Sequence, residues 1–312
     1  MAHPAPLFGV ESAPVPQGGA AEWFVGAGGA RLRAALFPAS GEARGSVVLS
    51  PGRTEPIEKY FEIVEMLSAR GFTVLVHDWR GHGLSVRLLP DRRLGHAAGH
   101  ADFMIDFQQL LAAFEGRLPR PWIALGHSMG GCLTLLAMAT GETRFSAAIL
   151  TAPMLGLQTG AIPRPVARAV AALAKLFGRT GAPAIKADAA PTPFEANILT
   201  HDRARYERNE ALVAAHPDLA LGAPTWGWLD FAFRATGVLA KGPGVPRITT
   251  PLTVLAAGEE RLVDNAAIQR VTARIPDARL VEVPGAYHEI LQETDQVQAV
   301  FWVEFDALTA PL

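Results

Sequence analysis

Ser128 sits in Gly126-His127-Ser128-Met129-Gly130, and this pentapeptide is the first place in the chain where chemistry can be read. A lone serine hydroxyl is a poor nucleophile; it needs a base within hydrogen-bond reach, and the base needs an acid to orient it. An apolar run, residues 122–125, precedes the pentapeptide, and a good helix former, CLTLLAMAT, follows from Cys132. Strand, sharp turn and helix are the surroundings in which Gly-x-Ser-x-Gly becomes a nucleophile elbow, its hydroxyl raised at the strand's carboxyl end. A chain with 30 glycines can produce the pattern by accident, but the flanking strand and helix argue against accident.

The base is sought among nine histidines. His288, in Gly285-Ala286-Tyr287-His288-Glu289, lies in the loop between the last strand and the last helix, which can bring an imidazole over Ser128. His127 is adjacent to Ser128, but side chains of neighbours diverge at such a turn. His96 and His100 are four apart with no third ligand at metal spacing, so they read as structural or solvated and no metal site is expected. The acid should follow the strand 252–256, in Gly258-Glu259-Glu260-Arg261-Leu262-Val263-Asp264. Glu260 lies just beyond the strand and is preferred. Asp264 is the alternative, although its ordinary role would be to cap the next helix. Glu259 should face solvent. An acyl-transfer oxyanion needs two backbone N–H donors; Met129 supplies one, and Arg53, after the strand 46–49, is the candidate for the other.

Several elements must position these residues. Residues 21–25 and 31–37 read as a hairpin around Gly26-Ala27-Gly28-Gly29. A helix carries Ile57, Tyr60, Phe61, Val64 and Leu67 on one face and stops at Gly71. The strand 72–76 runs into His77-Asp78-Trp79-Arg80-Gly81-His82-Gly83-Leu84-Ser85, and a second helix aligns Phe103, Phe107, Leu110, Leu111 and Phe114. The strand 147–150 follows the Ser128 unit. Residues 154–247, bounded by Pro153 and Pro246, break the alternation with helical segments and no convincing strand. It resumes with strands 252–256 and 279–283 and helices 265–275 and 294–308. Nearly continuous apolar strands alternating with helices predict an α/β fold, a mostly parallel sheet covered on both faces. Its chemistry lies beyond the strands' carboxyl ends. The expected organisation is a flexible arm (residues 1–20), a core (residues 21–153 and 248–312) and a helical cap (residues 154–247).

Composition narrows the classes. A 312-residue chain that is 49% hydrophobic can bury a large core, and a formal charge of -2 argues against nucleic acid as partner. The single cysteine, Cys132, excludes an intramolecular disulfide framework and reads as a small buried apolar residue. No basic-then-apolar signal pattern opens the chain and no apolar run is long enough to span a bilayer, so the expectation is a cytoplasmic protein.

With these residues in place, the chain resembles the α/β-hydrolase superfamily, in particular its monoacylglycerol lipase and lysophospholipase L2 branch. The likeness spans about residues 45–305. It rests on Ser50-Pro51-Gly52-Arg53 with Lys59-Tyr60, on His77 through Ser85, on Gly126 to Gly131 with Leu150-Thr151-Ala152-Pro153-Met154, and on Gly285 through Leu291. It leans toward lysophospholipase L2, which shares Pro-Gly-Arg where monoacylglycerol lipases usually carry His-Gly. Arg87-Leu88-Leu89, Leu94-Gly95-His96, Asn197-Ile198-Leu199-Thr200-His201 and Glu259 to Asn265 are also similar to L2. The resemblance places the acid on Glu260, where monoacylglycerol lipases carry Asp. It implies an α/β-hydrolase fold and cofactor-free hydrolysis of a single-chain acyl ester, a lysophospholipid or a monoacylglycerol.

Such a lipid needs an apolar tunnel with a polar mouth. Leu155, Trp226 and Trp228 in the cap are the candidate substrate contacts, against an ordinary reading as cap core. A helix over residues 161–179 would set Arg164, Arg168, Lys175 and Arg179 within about 60° of one another at 100° per residue. That basic stripe raises peripheral contact with anionic headgroups, at the inner membrane, as an expectation. Two rivals remain: a broad-specificity carboxylesterase, separable by chain-length preference, and a non-catalytic small-molecule binder on the same scaffold. A halide-releasing enzyme would carry Asp at position 128.

Overall fold

A computed structural model of the chain describes residues 3–185 and 192–312; the first two residues of the N-terminal arm and residues 186–191 of the insertion lie outside the described residues. In chain order the sheet strands are β1 (His3–Ala5), β2 (Ala20–Val25), β3 (Arg31–Phe37), β4 (Gly45–Ser50), β5 (Phe72–His77), β6 (Trp122–His127), β7 (Ala147–Thr151), β8 (Leu252–Ala257) and β9 (Ala278–Val283). The helices are α1 (Phe61–Ala69), α2 (Ala101–Phe114), α3 (Met129–Ala139), α4 (Arg164–Leu176), α5 (Arg203–Ala215), α6 (Trp226–Lys241), α7 (Asn265–Thr272) and α8 (Asp295–Thr309). The strands form one sheet in the order β1-β2-β3-β5-β4-β6-β7-β8-β9. From β5 to β9 every neighbouring pair is parallel, while β1, β2 and β3 add an antiparallel edge.

β4, β5, β6, β7 and β8 are buried along their whole length, the pattern of a parallel sheet with both faces covered. The core is accordingly double. Phe103, Phe107, Leu133 and Phe231 pack on one face, and Ile63, Leu67, Phe301 and Phe305 on the other. Burial of side chains this large contributes about 1.5–3 kcal/mol each and is the main drive to form the layers.

Three expectations are corrected. The N-terminal arm is not loose: His3–Ala5 pairs with Ala21–Trp23 as an edge strand, and the Arg33 guanidinium donates to the Pro6 carbonyl at 2.9 Å. The helix expected over residues 161–179 is shorter. Pro163 stands at its N-cap, Pro165 lies in its first turn, and Gly178 leaves helical geometry at φ +65°. The helix expected to run to Ile275 ends at Thr272.

Between β7 and β8 the described residues hold three α-helices and no sheet strand. The two halves of this insertion are held differently. Around α5, Arg205 bonds Glu62, Asp295, Asp202 and the Glu293 carbonyl, and Glu289 N–H donates to Leu199 O. Arg87 reaches the Asp218 and Ala220 carbonyls, and Gly95 pairs with Ala223 and Thr225. α4 instead packs mainly on α6, with ion pairs from Arg164 to Asp264 (2.5 Å) and from Lys175 to Asp230 (3.2 Å).

Candidate active site

β6 ends at His127 and α3 starts at Met129, so Ser128 alone makes the turn, at φ 50° and ψ −115°. This is a strained conformation for a residue with a Cβ. Packing imposes it. A Cβ on Gly130 would lie 2.0 Å from Ser50 O, and one on Gly126 2.8 Å from the Gly131 Cα. The serine main chain is locked as well: its N–H donates to Thr151 O at 3.0 Å, and its carbonyl accepts from Cys132 and Met154.

Ser128 Oγ lies 2.8 Å from His288 Nε2, and His288 Nδ1 lies 2.7 Å from Glu260 Oε2. A carboxylate can only accept, so Nδ1 carries the proton and the Nε2 lone pair faces the serine hydroxyl. Glu260 Oε1 accepts from Leu262 N at 2.7 Å and Val263 N at 3.1 Å. Burial pushes its carboxyl up, but the His288 hydrogen bond and charge with those two amides outweigh it and hold the group below its ordinary value. It is therefore an anion at neutral pH, able to orient and stabilise an imidazolium.

Asp264 is elsewhere. It caps α7 by accepting from Ala266 N and pairs with Arg164 and Arg270, while the His288 Nδ1–H is given to Glu260. Glu259 is exposed. His127 turns toward Thr151, and burial pushes its imidazole down to about 4, so it is neutral. His96 hydrogen-bonds Thr225 Oγ1 at 2.8 Å, tying its loop to the insertion. Met129 opens α3 directly after the serine, Arg53 lies on the loop after β4, both line the space above Ser128, and neither backbone N–H donates to a protein acceptor among the described residues.

Sequence reasoning missed what holds the Arg53 loop. Glu55 is buried and accepts from Gly52 N at 2.5 Å, from Tyr60 Oη at 2.6 Å and from Lys59 Nζ at 2.9 Å. Burial pushes its carboxyl up, yet Lys59, His127 and these hydrogen bonds bring it down to about 2. Lys59 also bonds Glu289, beside His288, so one buried ammonium ties the Arg53 loop to the histidine loop. Trp79 Nε1 donates to Pro51 O at 2.9 Å and secures the same loop from beneath. The Glu55–Lys59 spacing of four, ordinary for a helical ion pair, was the available signal.

Above Ser128 opens a cavity of about 550 Å³, within the range of about 300–1,000 Å³ usual for ligand sites. Met154, Leu157, Val170, Trp226, Trp228, Leu229 and Phe233 give it an apolar wall. Leu155 is a correction: it is only 2% exposed, packs in the core and does not line the cavity, whereas its neighbour Met154 does.

Sheet order, elbow and the Ser–His–carboxylate chain define an α/β-hydrolase. The chain belongs to the family whose model is described as Hydrolase_4, serine aminopeptidase S33, which matches residues 41–295. It is 37% identical over 268 residues to lysophospholipase L2 of Escherichia coli K12, covering 81% of this chain and 77% of the relative. With the monoacylglycerol lipase of Mycolicibacterium smegmatis it shares 28% identity over 282 residues, 88% of this chain and 91% of the relative. Among solved structures, a soluble variant of Saccharomyces cerevisiae monoglyceride lipase in complex with a substrate analog superposes with a TM-score of 0.74 at 20% identity, covering 98% of both chains.

Proposed function

We propose that this hydrolase cleaves the carboxylic ester of a single-chain acyl lipid, a lysophospholipid or a monoacylglycerol, through an acyl-enzyme on Ser128. The observation that carries the reading is the Ser128–His288–Glu260 chain at the floor of an apolar cavity. His288 Nε2 takes the hydroxyl proton as Oγ attacks the ester carbonyl, and the Met129 and Arg53 amides take the oxyanion. The protonated imidazole, held by Glu260, returns the proton to the departing alcohol. A water activated by the same imidazole then releases the fatty acid. Residues 21–153 and 248–312 act as the catalytic core and residues 154–247 as its cap, with Trp226 and Trp228 on the acyl chain. The names of the relatives support the ester chemistry.

Incubation with a fluorophosphonate should add one adduct mass to the wild type and none to Ser128→Ala. An unmodified wild type that is folded and presented in detergent micelles would favour the binder. Equal turnover of short and long acyl esters would favour the broad carboxylesterase.

The insertion also supports contact with a lipid surface, led by an apolar ridge; of the expected basic stripe, Arg168 and Arg179 stay exposed. Arg164 and Lys175 lie on the side of α4 that carries buried Ala171, and both pair inward. Val166, Val170, Leu173 and Phe177 lie nearly opposite at 100° per residue, and all four are exposed, Phe177 by 72%. Val170 and neighbouring Ile162 also line the cavity, so an outward apolar ridge adjoins the acyl site. Insertion of such a ridge among headgroups depends on buried apolar area, with charge secondary. Wild type should therefore co-sediment with zwitterionic as well as anionic vesicles, and the pair Leu173→Asp and Phe177→Asp should lower the bound fraction at least fivefold. Binding that vanishes on zwitterionic vesicles would return the role to the cations.

A further inference from the structure

The cavity wall holds one cation with no counter-ion. Arg53 Nη2 donates to the Gly222 carbonyl, and the guanidinium lies 5.2 Å from the centre of the Trp228 ring. Its Nε is sealed from solvent and has no acceptor, and no carboxylate pairs with the group among the described residues. Burial alone pushes it down to about 10, so it remains charged at neutral pH. The other buried cations near the site are matched: Lys59 has Glu55 and Glu289, and Arg33 has Glu58 and Asp78. A desolvated charge without an anion is costly, and a guanidinium keeps directed donors for an oxyanion of phosphate or carboxylate type.

Arg53 also stands at a divide. Thr54, the next residue, lines both the apolar cavity and a second cavity of about 300 Å³, and Leu199 and Glu289 are shared as well. The second cavity has a mixed wall, in which Lys59, Arg93, Asn209 and Glu210 supply polar groups beside Leu212, Val213 and Leu221. An acyl chain fits the apolar part of the first space, and a headgroup held by Arg53 would lie on the side where Thr54 leads to the second.

We infer that the Arg53 side chain is the subsite for the phosphate of a lysophospholipid, in addition to the backbone role given to this residue above. The inference rests on the proposed ester hydrolysis and commits it to the phosphorylated substrate class. A neutral monoacylglycerol leaves the guanidinium uncompensated; a phosphodiester supplies one negative charge and an oxygen that accepts from Nη1, the guanidinium nitrogen that is neither sealed nor bonded.

The test compares kcat/KM for a lysophosphatidylethanolamine and a monoacylglycerol of the same chain in identical mixed micelles, for wild type, Arg53→Gln and Arg53→Lys. The ratio of the two values does not depend on how much of a variant folds. It should fall tenfold or more in Arg53→Gln, which keeps a donor but loses the charge, and recover in part in Arg53→Lys, which restores the charge. Equal loss on both lipids would overturn the subsite and leave the ester hydrolase standing. Glycerol 3-phosphate binding, read by calorimetry, is the second arm. Tighter binding to wild type than to Arg53→Gln supports the subsite even if neither lipid is cleaved, an outcome that would sink the hydrolase reading alone. Inorganic phosphate binding as tightly as glycerol 3-phosphate would assign the cation to free phosphate and overturn the headgroup assignment.

Discussion

Glu260→Gln should lower kcat by about 10,000-fold, while Asp264→Asn should lower it less than tenfold. The first figure follows from the tautomer. A glutamine amide in the Glu260 position can donate to Nδ1, which moves the imidazole proton to Nε2 and removes the lone pair that Ser128 needs. The two amides that grip Oε1 can still bond the carbonyl oxygen of a glutamine, so the loop keeps its shape and the loss falls on chemistry. Asparagine at 264 still caps α7 and loses only the partly exposed pairs to Arg164 and Arg270, which are worth about 0–1 kcal/mol. Steady-state turnover of a soluble ester, normalised by fluorophosphonate titration, decides the matter. A large loss in the Asp264 variant, or a loss under tenfold in the Glu260 variant, would move the acid.

The second large effect is on stability. His77 and His82 are buried, and desolvation holds both at about 3; His127 is held at about 4 by the same cause. The unfolded chain protonates these groups near their ordinary value of about 6.5, and the folded chain refuses the proton until much lower pH. Their contribution is therefore intact above about pH 6.5 and drains away as pH falls toward 4. Three such groups give a slope on the order of 4 kcal/mol per pH unit. Against a total stability of about 5–15 kcal/mol, two units suffice to bring the protein to the edge of unfolding. Glu55, held at about 2, is shifted in the same downward direction, with the same consequence: its contribution is present above its unfolded value and lost as pH falls below about 4.5. The melting temperature should drop steeply between pH 7 and pH 5, and His77→Gln should show about two-thirds of the slope. A flat profile, or a variant as steep as wild type, would refute the account.

Much of the site was readable because its signals are local. Gly126, Ser128 and Gly130 fall within five residues, and the apolar runs around them report strand and helix without reference to the rest of the chain. His288 and Glu260 could be reached because each follows a strand, and a parallel sheet delivers strand ends to one edge. What escaped depends on partners far along the chain. Edge pairing of His3–Ala5 requires Ala21–Trp23, and a three-residue strand containing Pro4 carries no periodicity of its own. The basic stripe and the apolar ridge of α4 are both visible in sequence. That Arg164 and Lys175 of the stripe pair inward is decided by Asp264 and Asp230, 100 residues from Arg164 and 55 from Lys175. Leu155 and Met154 are equally apolar, and only the turn of backbone after β7 sends one to the core and the other to the cavity. Glu55 stands three residues from Gly52, yet its partners include a lysine shared with Glu289, 230 residues further on.

The unequal fastening of the insertion sets a ladder of local opening free energies. Around α5, Arg205 alone engages three carboxylates and a carbonyl, and breaking that hub strands a guanidinium that is only 10% exposed. By contrast, α4 is held by its packing on α6 and by two pairs whose cations are 40% and 45% exposed. The cheapest excursion from the native state is therefore undocking of α4 alone, with α5 and the strands left in register. An acyl chain would enter and its fatty acid depart through a breach on the α4 side, next to the exposed apolar ridge.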